Sequence, residues 1–267
     1  MRPVLPFTCL TLAAVLTSIA EKANAASDLP AWVYEPPSES GPILQGVGDT
    51  TASASFGSNG ITVEGAHAFA RWLGIIGGGS YWPRARHDEQ PLLEQDQPVP
   101  RYGHSHTYGE IGVGPLFRPE PNSKWRIELF AGVGYGQSTG QIEIPQSTHV
   151  MDITGSYILP FVQADVGRIA NEVVEYAFAG RLVDMNYHFH SVDGAPADAH
   201  RFVPLLQLAF LLRLGWRNFK GELQIGIDSP NTTSSVPYAV SSAPGYASIG
   251  IFYRFGGPTP NWSTHAR

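Results

Sequence analysis

The 267-residue chain carries a formal net charge of −6, with 29 glycines, 11 % aromatic residues and only 15 % charged ones. An acidic chain is a poor match for nucleic acid, whose phosphates are held by lysine and arginine. Beyond the first 25 residues no apolar run reaches the ~18–20 residues of a helical membrane span, so the scarcity of charge points to membrane strands instead.

Met1-Arg2, the apolar run Val4–Ala20 and Ala23-Asn24-Ala25 have the layout of an export signal, residues 1–25. The single cysteine, Cys9, leaves with it. That excludes disulfides, thiol chemistry and Cys-ligated zinc in the mature chain. Residues 26–43, rich in Pro and Ser, read as a periplasmic N-terminal tail.

From 44 to 255 the sequence alternates with a period of two, the mark of strands that face two different solvents. Strands are predicted at Gln45–Gly57, Ile61–Ala70 and Leu73–Trp82, joined by Ser58-Asn59-Gly60 and Arg71-Trp72. A polar, Pro-rich loop follows, then strands at Ser105–Phe117 and Trp125–Ser138. Thr139–Gly155 reads as a loop, Ser156–Gly167 and Val173–Tyr187 as strands, and His188–Arg201 as another loop. The pattern is clearest in the hairpin Phe202–Asp228. There Phe219, Gly221, Leu223, Ile225 and Ile227 share one face, and Lys220, Glu222, Gln224 and Asp228 the other. After the loop Ser229–Gly245 comes a last strand, Tyr246–Phe255, and a disordered tail, 256–267.

The expected fold is therefore all-β: one antiparallel up-and-down transmembrane β-barrel over 44–255, with ten strands and eight as the alternative. After a short first hairpin the connections alternate short and long. A barrel inserted from one side sorts its loops this way, with short periplasmic turns and long extracellular loops. An even strand number places both termini in the periplasm. Trp72, Trp82, Trp125, Tyr157, Tyr187, Trp216, Tyr246 and Tyr253 stand near strand ends and read as outward interface girdles.

Several stretches carry a resemblance. The signal, VEGAHAFARWLGIIGGGSYW (Val63–Trp82), HSHTYGEIGVGPLF (His104–Phe117), WRIELFAGVGYG (Trp125–Gly136) and the aromatic-ending IGIFYRF (Ile249–Phe255) are similar to the small bacterial outer-membrane β-barrels of the OmpA-like or OmpX-like kind. The resemblance implies a setting of outer-membrane lipid and lipopolysaccharide, insertion by the barrel-assembly machinery, and no cofactor. Its members include channels, adhesins, lipid-modifying enzymes and structural barrels. In such proteins a terminal aromatic serves as assembly signal, whereas here residues 256–267 follow Phe255.

The inward parity carries Glu64, Glu110, Arg126, Glu128, Asp165, Glu175, Arg181, Arg213, Lys220, Glu222 and Arg254. A narrow lumen is close to what side chains alone can fill, and charges buried there must pair. The expectation is an ion-paired plug. A narrow porin-like channel, the alternative, would want a one-sided charge pattern.

Most histidines fall in or beside predicted loops. His104 with His106, and His188 with His190, would each place two imidazoles on one side of an extended backbone, a partial ligand set for a transition metal. Glu94 with Asp96, and Asp198 with His200, loosely echo the acidic pair and Asp-His pair of omptin-type proteases, which activate a water between them. The expected role is non-enzymatic: a structural or surface-binding barrel whose extracellular ligand the residues do not name, with a loop-based hydrolase as the alternative of another class.

Overall fold

A computed structural model of the chain describes residues 31–34, 41–87, 102–119, 123–143, 150–229, 240–242 and 245–256. The predicted export signal, Glu94, Asp96 and the tail from 257 lie outside the described residues. The strands are β1 (Ala31–Tyr34), β2 (Thr50–Gly57), β3 (Gly60–Ala70), β4 (Leu73–His87), β5 (Tyr102–Phe117), β6 (Trp125–Glu143), β7 (Val150–Ile169), β8 (Val174–Val192), β9 (Ala195–Gly215), β10 (Phe219–Ser229), β11 (Val240–Ser242) and β12 (Gly245–Phe255). From β2 to β10 each strand pairs antiparallel with the next. β12 pairs with both β10 and β2 and closes a ten-stranded ring. β1 and β11 form a separate parallel pair.

Alternation sets which side each residue takes. Ile111, Val133, Val162, Ile225 and Ile249 point outward and are exposed, as is Leu182 at 63 %. A water-soluble wall would not leave so large an apolar band uncovered. On β6 the outward row from Trp125 to Tyr135 is ten residues of climb, about 34 Å of strand. A barrel tilt of about 40° brings that to about 26 Å, the height of a lipid-facing band. Trp72, Trp125, Trp216, Tyr253 and Phe255 mark the band's edge at the end of the short turns. Tyr81, Tyr135 and Phe202 mark the other edge, here called the loop end.

Four girdle assignments are corrected: Trp82 takes the inward parity of its register partner His106, and three tyrosines follow. Tyr157, Tyr187 and Tyr246 are buried in the lumen, at 1 %, 0 % and 5 % exposure. Each follows the parity of its own strand, and each lies over a glycine. A Cβ on Gly136, Gly155 or Gly226 would stand 2.3, 2.5 or 2.2 Å from the Tyr157, Tyr187 or Tyr246 ring. Tyr108, Tyr157 and Tyr187 stack in sequence along the inner wall, with centroids 6.1 and 6.2 Å apart.

The strands also outrun the apolar band. The predicted loop 188–201 is instead the top of one continuous hairpin. β8 and β9 stay paired up to Val192 and Ala195, joined by Asp193-Gly194 alone. Both turn residues have positive φ, 52° and 74°, as a tight two-residue hairpin turn of the right-handed sheet demands. Asp193 anchors the tip sideways: its N donates to the Asp152 carbonyl (2.8 Å), and its carboxylate accepts from the Asp152 N (2.9 Å).

The predicted tail ends inside the barrel. Residues 41–45 are buried, and a Cβ on Gly41 would touch Leu211. β1 pairs with β11, which lies in the connection between β10 and β12 at the loop end.

Candidate functional site

Two places gather chemistry-bearing side chains: the lumen, and the outer face of the β8–β9 hairpin.

In the lumen, Glu64, Arg126, Glu128, Asp165, Glu175, Arg181, Arg213, Lys220 and Glu222 are all buried, and the Glu110 side chain is 5 % exposed. They form linked groups. Arg181 grips Glu110 with two 2.8 Å bonds and donates to Gln163 at 2.7 and 2.9 Å, its guanidinium 4.3 Å from the Phe161 ring. Gln163 donates to Asp165 at 3.0 Å. One layer toward the turn end, Arg213 bonds Glu222 at 2.6 Å and lies 3.9 Å from the Phe252 ring. Glu175 receives Arg254 at 3.2 Å and Lys220 at 3.7 Å. Glu64 takes a hydrogen bond of 3.2 Å from the Ser53 hydroxyl.

The turn end is stopped by residues 41–49. The Glu128 carboxylate accepts the backbone N–H groups of Ile43 (3.2 Å) and Leu44 (2.5 Å). Arg254 pairs with Asp49 and donates to the Ile43 carbonyl at 3.2 Å. Arg118 holds the Gln45 carbonyl. Ile43 and Leu44 fill the slots above Gly167 and Gly74. Outside this stopper a cavity of about 650 Å³ is lined by Arg71, Arg118 and Arg126. The sequence reading found the charged wall but not the segment that caps it, nor Asp49.

The histidine pairs separate. His104 and His106 turn inward and are buried, hydrogen-bonded to each other at 3.0 Å, with His106 3.0 Å from the Ser80 hydroxyl. His188, His190 and His200 turn outward, just above the apolar band. His188 and His200 are direct partners across the ladder, their rings stacked 4.3 Å apart at 8°. The Asp198 carboxylate lies 3.1 Å from His188 Nε2 and 3.9 Å from His200 Nε2. His190 sits 4.8 Å from the His188 ring and bonds the Ser156 hydroxyl at 2.9 Å. Asp198 and His200 therefore meet, on the outside of the wall.

An antiparallel ring closed on itself, apolar outside and ionic within, is a distinct architecture. The fold is that of a small bacterial outer-membrane β-barrel. No family model matches the chain, and no curated protein matches it. Among solved structures the barrel is similar to a KdgM porin (TM-score 0.34, 9 % identity, 78 % of this chain and 99 % of that one). It is also similar to CarO2 of Acinetobacter baumannii (0.31, 10 %, 78 % and 99 %). A further likeness is to the translocator domain of the autotransporter NalP from Neisseria meningitidis (0.37, 9 %, 92 % and 96 %). At these identities the likeness concerns the fold alone.

Proposed function

We propose that the chain is an integral outer-membrane barrel with a sealed lumen, its short turns in the periplasm, and its loop end serving as a structural or binding surface outside the cell. One observation carries the reading. The polar and charged side chains from the barrel's waist to its turn end face a lumen yet are closed to solvent: Gln163 and Gln207 are 0 % exposed, Arg181 at the waist and Lys220 at the turn end 1 %. A water-filled pore would wet them. The bonds from Glu128 and Arg254 to residues 43–49 support the same reading, because they tie a stopper to the wall.

The reading takes the barrel as non-catalytic. The Asp198–His200 pair faces away from the barrel mouth, where a hydrolase of this shape would need its water between two opposed rims.

The test is conductance in a planar bilayer, after a gel-mobility shift on boiling has confirmed a folded barrel. The expected result is a quiet membrane. Steady discrete steps would overturn the sealed lumen and make the protein a narrow channel, with Arg181 and Arg213 as its selectivity surface.

A further inference from the structure

We propose that the outer face of the β8–β9 hairpin is a binding site for a divalent transition-metal ion, held by His188, Asp198 and His200. It shares with the reading above only that the loop end is the working surface. An open lumen would leave it standing, and a failed metal titration would leave the sealed lumen standing.

The geometry begins with register. His188 and His200 are cross-strand partners, and Asp198 lies two residues before His200, so all three side chains leave the same face. Their ligand atoms lie within 4.8 Å of one another, and both Nε2 atoms approach one Asp198 oxygen, at 3.1 and 3.9 Å. Around a tetrahedral ion with bonds of about 2.0–2.1 Å, neighbouring ligand atoms stand about 3.3 Å apart. Small side-chain rotations close the difference. His190 is the next imidazole in reach, its ring 4.8 Å from that of His188. The remaining positions are otherwise left to water.

The scaffold is stiff, which keeps the cost of ordering the ligands low. The two strands stay paired on either side of one register shift between Phe189 and Ser191, which lies opposite Asp198, the tip is a two-residue turn, and Asp193 is bonded to β7 through Asp152. An ordinary polar loop would have to order its backbone on binding.

The donor set chooses the ion. Two imidazoles and one carboxylate suit zinc, copper(II) or nickel(II). Calcium and magnesium prefer all-oxygen ligands and are disfavoured. The cluster also stands just beyond the apolar band, so a bound ion would sit in water, at the level of the lipid headgroups.

The experiment uses tag-free full-length barrel refolded in detergent, because a polyhistidine tag would mask the signal. Titration calorimetry with zinc chloride is expected to show one ion per barrel with a micromolar Kd. H188A, H200A and D198N should each weaken binding by at least about tenfold. H67A, at the turn end, should not. Zinc should also shift the imidazole resonances of His188 and His200, a signal that an ion held elsewhere would not give. Absence of saturable binding up to millimolar zinc, or binding that survives the H188A/H200A double substitution, would overturn the site. Each variant is first checked for the boiling-dependent mobility shift, which the exposed positions of Asp198 and His200 make safe to expect.

Discussion

Arg181 and Glu64 show two ways in which a charged group can be buried. Arg181 is matched on every side: a two-pronged carboxylate, an amide oxygen and an aromatic face. Removing one partner strands the other, which costs about 3–5 kcal/mol. E110Q and R181M should each destabilise the barrel by that order in urea unfolding followed by gel mobility. The E110Q/R181M double variant should recover part of the loss, since no charge is then left alone. Glu64 has a hydroxyl partner in Ser53, and among the described residues Arg181 and Arg213 are each engaged by another carboxylate. E64Q should therefore leave stability unchanged or raise it; a loss as large as that of E110Q would show that the Glu64 charge is matched. This layer was legible in the sequence because alternation alone assigns the parity of Glu64, Glu110 and Arg181. Tyr157, Tyr187 and Tyr246 were misread where residue type was allowed to outweigh that same parity. Gly136, Gly155 and Gly226, which make room for the three rings, are signals visible only once the register is known.

The hairpin β8–β9 explains where the sequence reading of elements stopped. Alternation is visible only while the two faces of a strand meet different solvents. Above the apolar band the outward face turns polar at His188, His190, Asp198 and His200 while the inward face still buries Phe189, so the apolar-outward pattern is lost although the ladder continues to Val192 and Ala195. Ser191, Asp193, Gly194, Pro196 and Asp198 then read as a loop, and the Asp-Gly turn went unused as a hairpin signal. The turn is also where the element can be tested. A Cβ on Gly194 would meet nothing within 4 Å, but φ there is +74°, so a side chain acts through the backbone alone. G194V should cost about 1–2 kcal/mol of hairpin stability. Amide exchange between His188 and His200 should quicken about tenfold, at about 1.4 kcal/mol per decade. Exchange in the lower half of β8 should not change.

At the scale of the whole molecule, closure of the ring and the stopper of its turn end are separate features. The ring was legible because ten similar units repeat along the chain. The stopper was not, because its contacts are remote: Ile43 meets Arg254 across 211 positions, and a segment without period gives no sign of its partner. A chain lacking residues 26–48 should still close, still shift on boiling and still stay silent, because the ion-paired waist is untouched; steady conductance steps would assign the seal to the stopper instead. The positions of β1 and of residues 41–49 constrain the order in which the barrel assembles. They occupy opposite openings of a closed wall, yet Tyr34 and Gly41 are only seven residue steps apart, about 24 Å at full stretch. The last seam to form by chain order is β12 against β2. A ring cannot be strung after it is fastened, so β1 and residues 41–49 must be laid against the unfinished sheet before its final strand arrives. Assembly of this barrel thus has a clock: a segment supplied late, as a separate peptide to an already closed ring, would find both ends of its path on the wrong side of the wall.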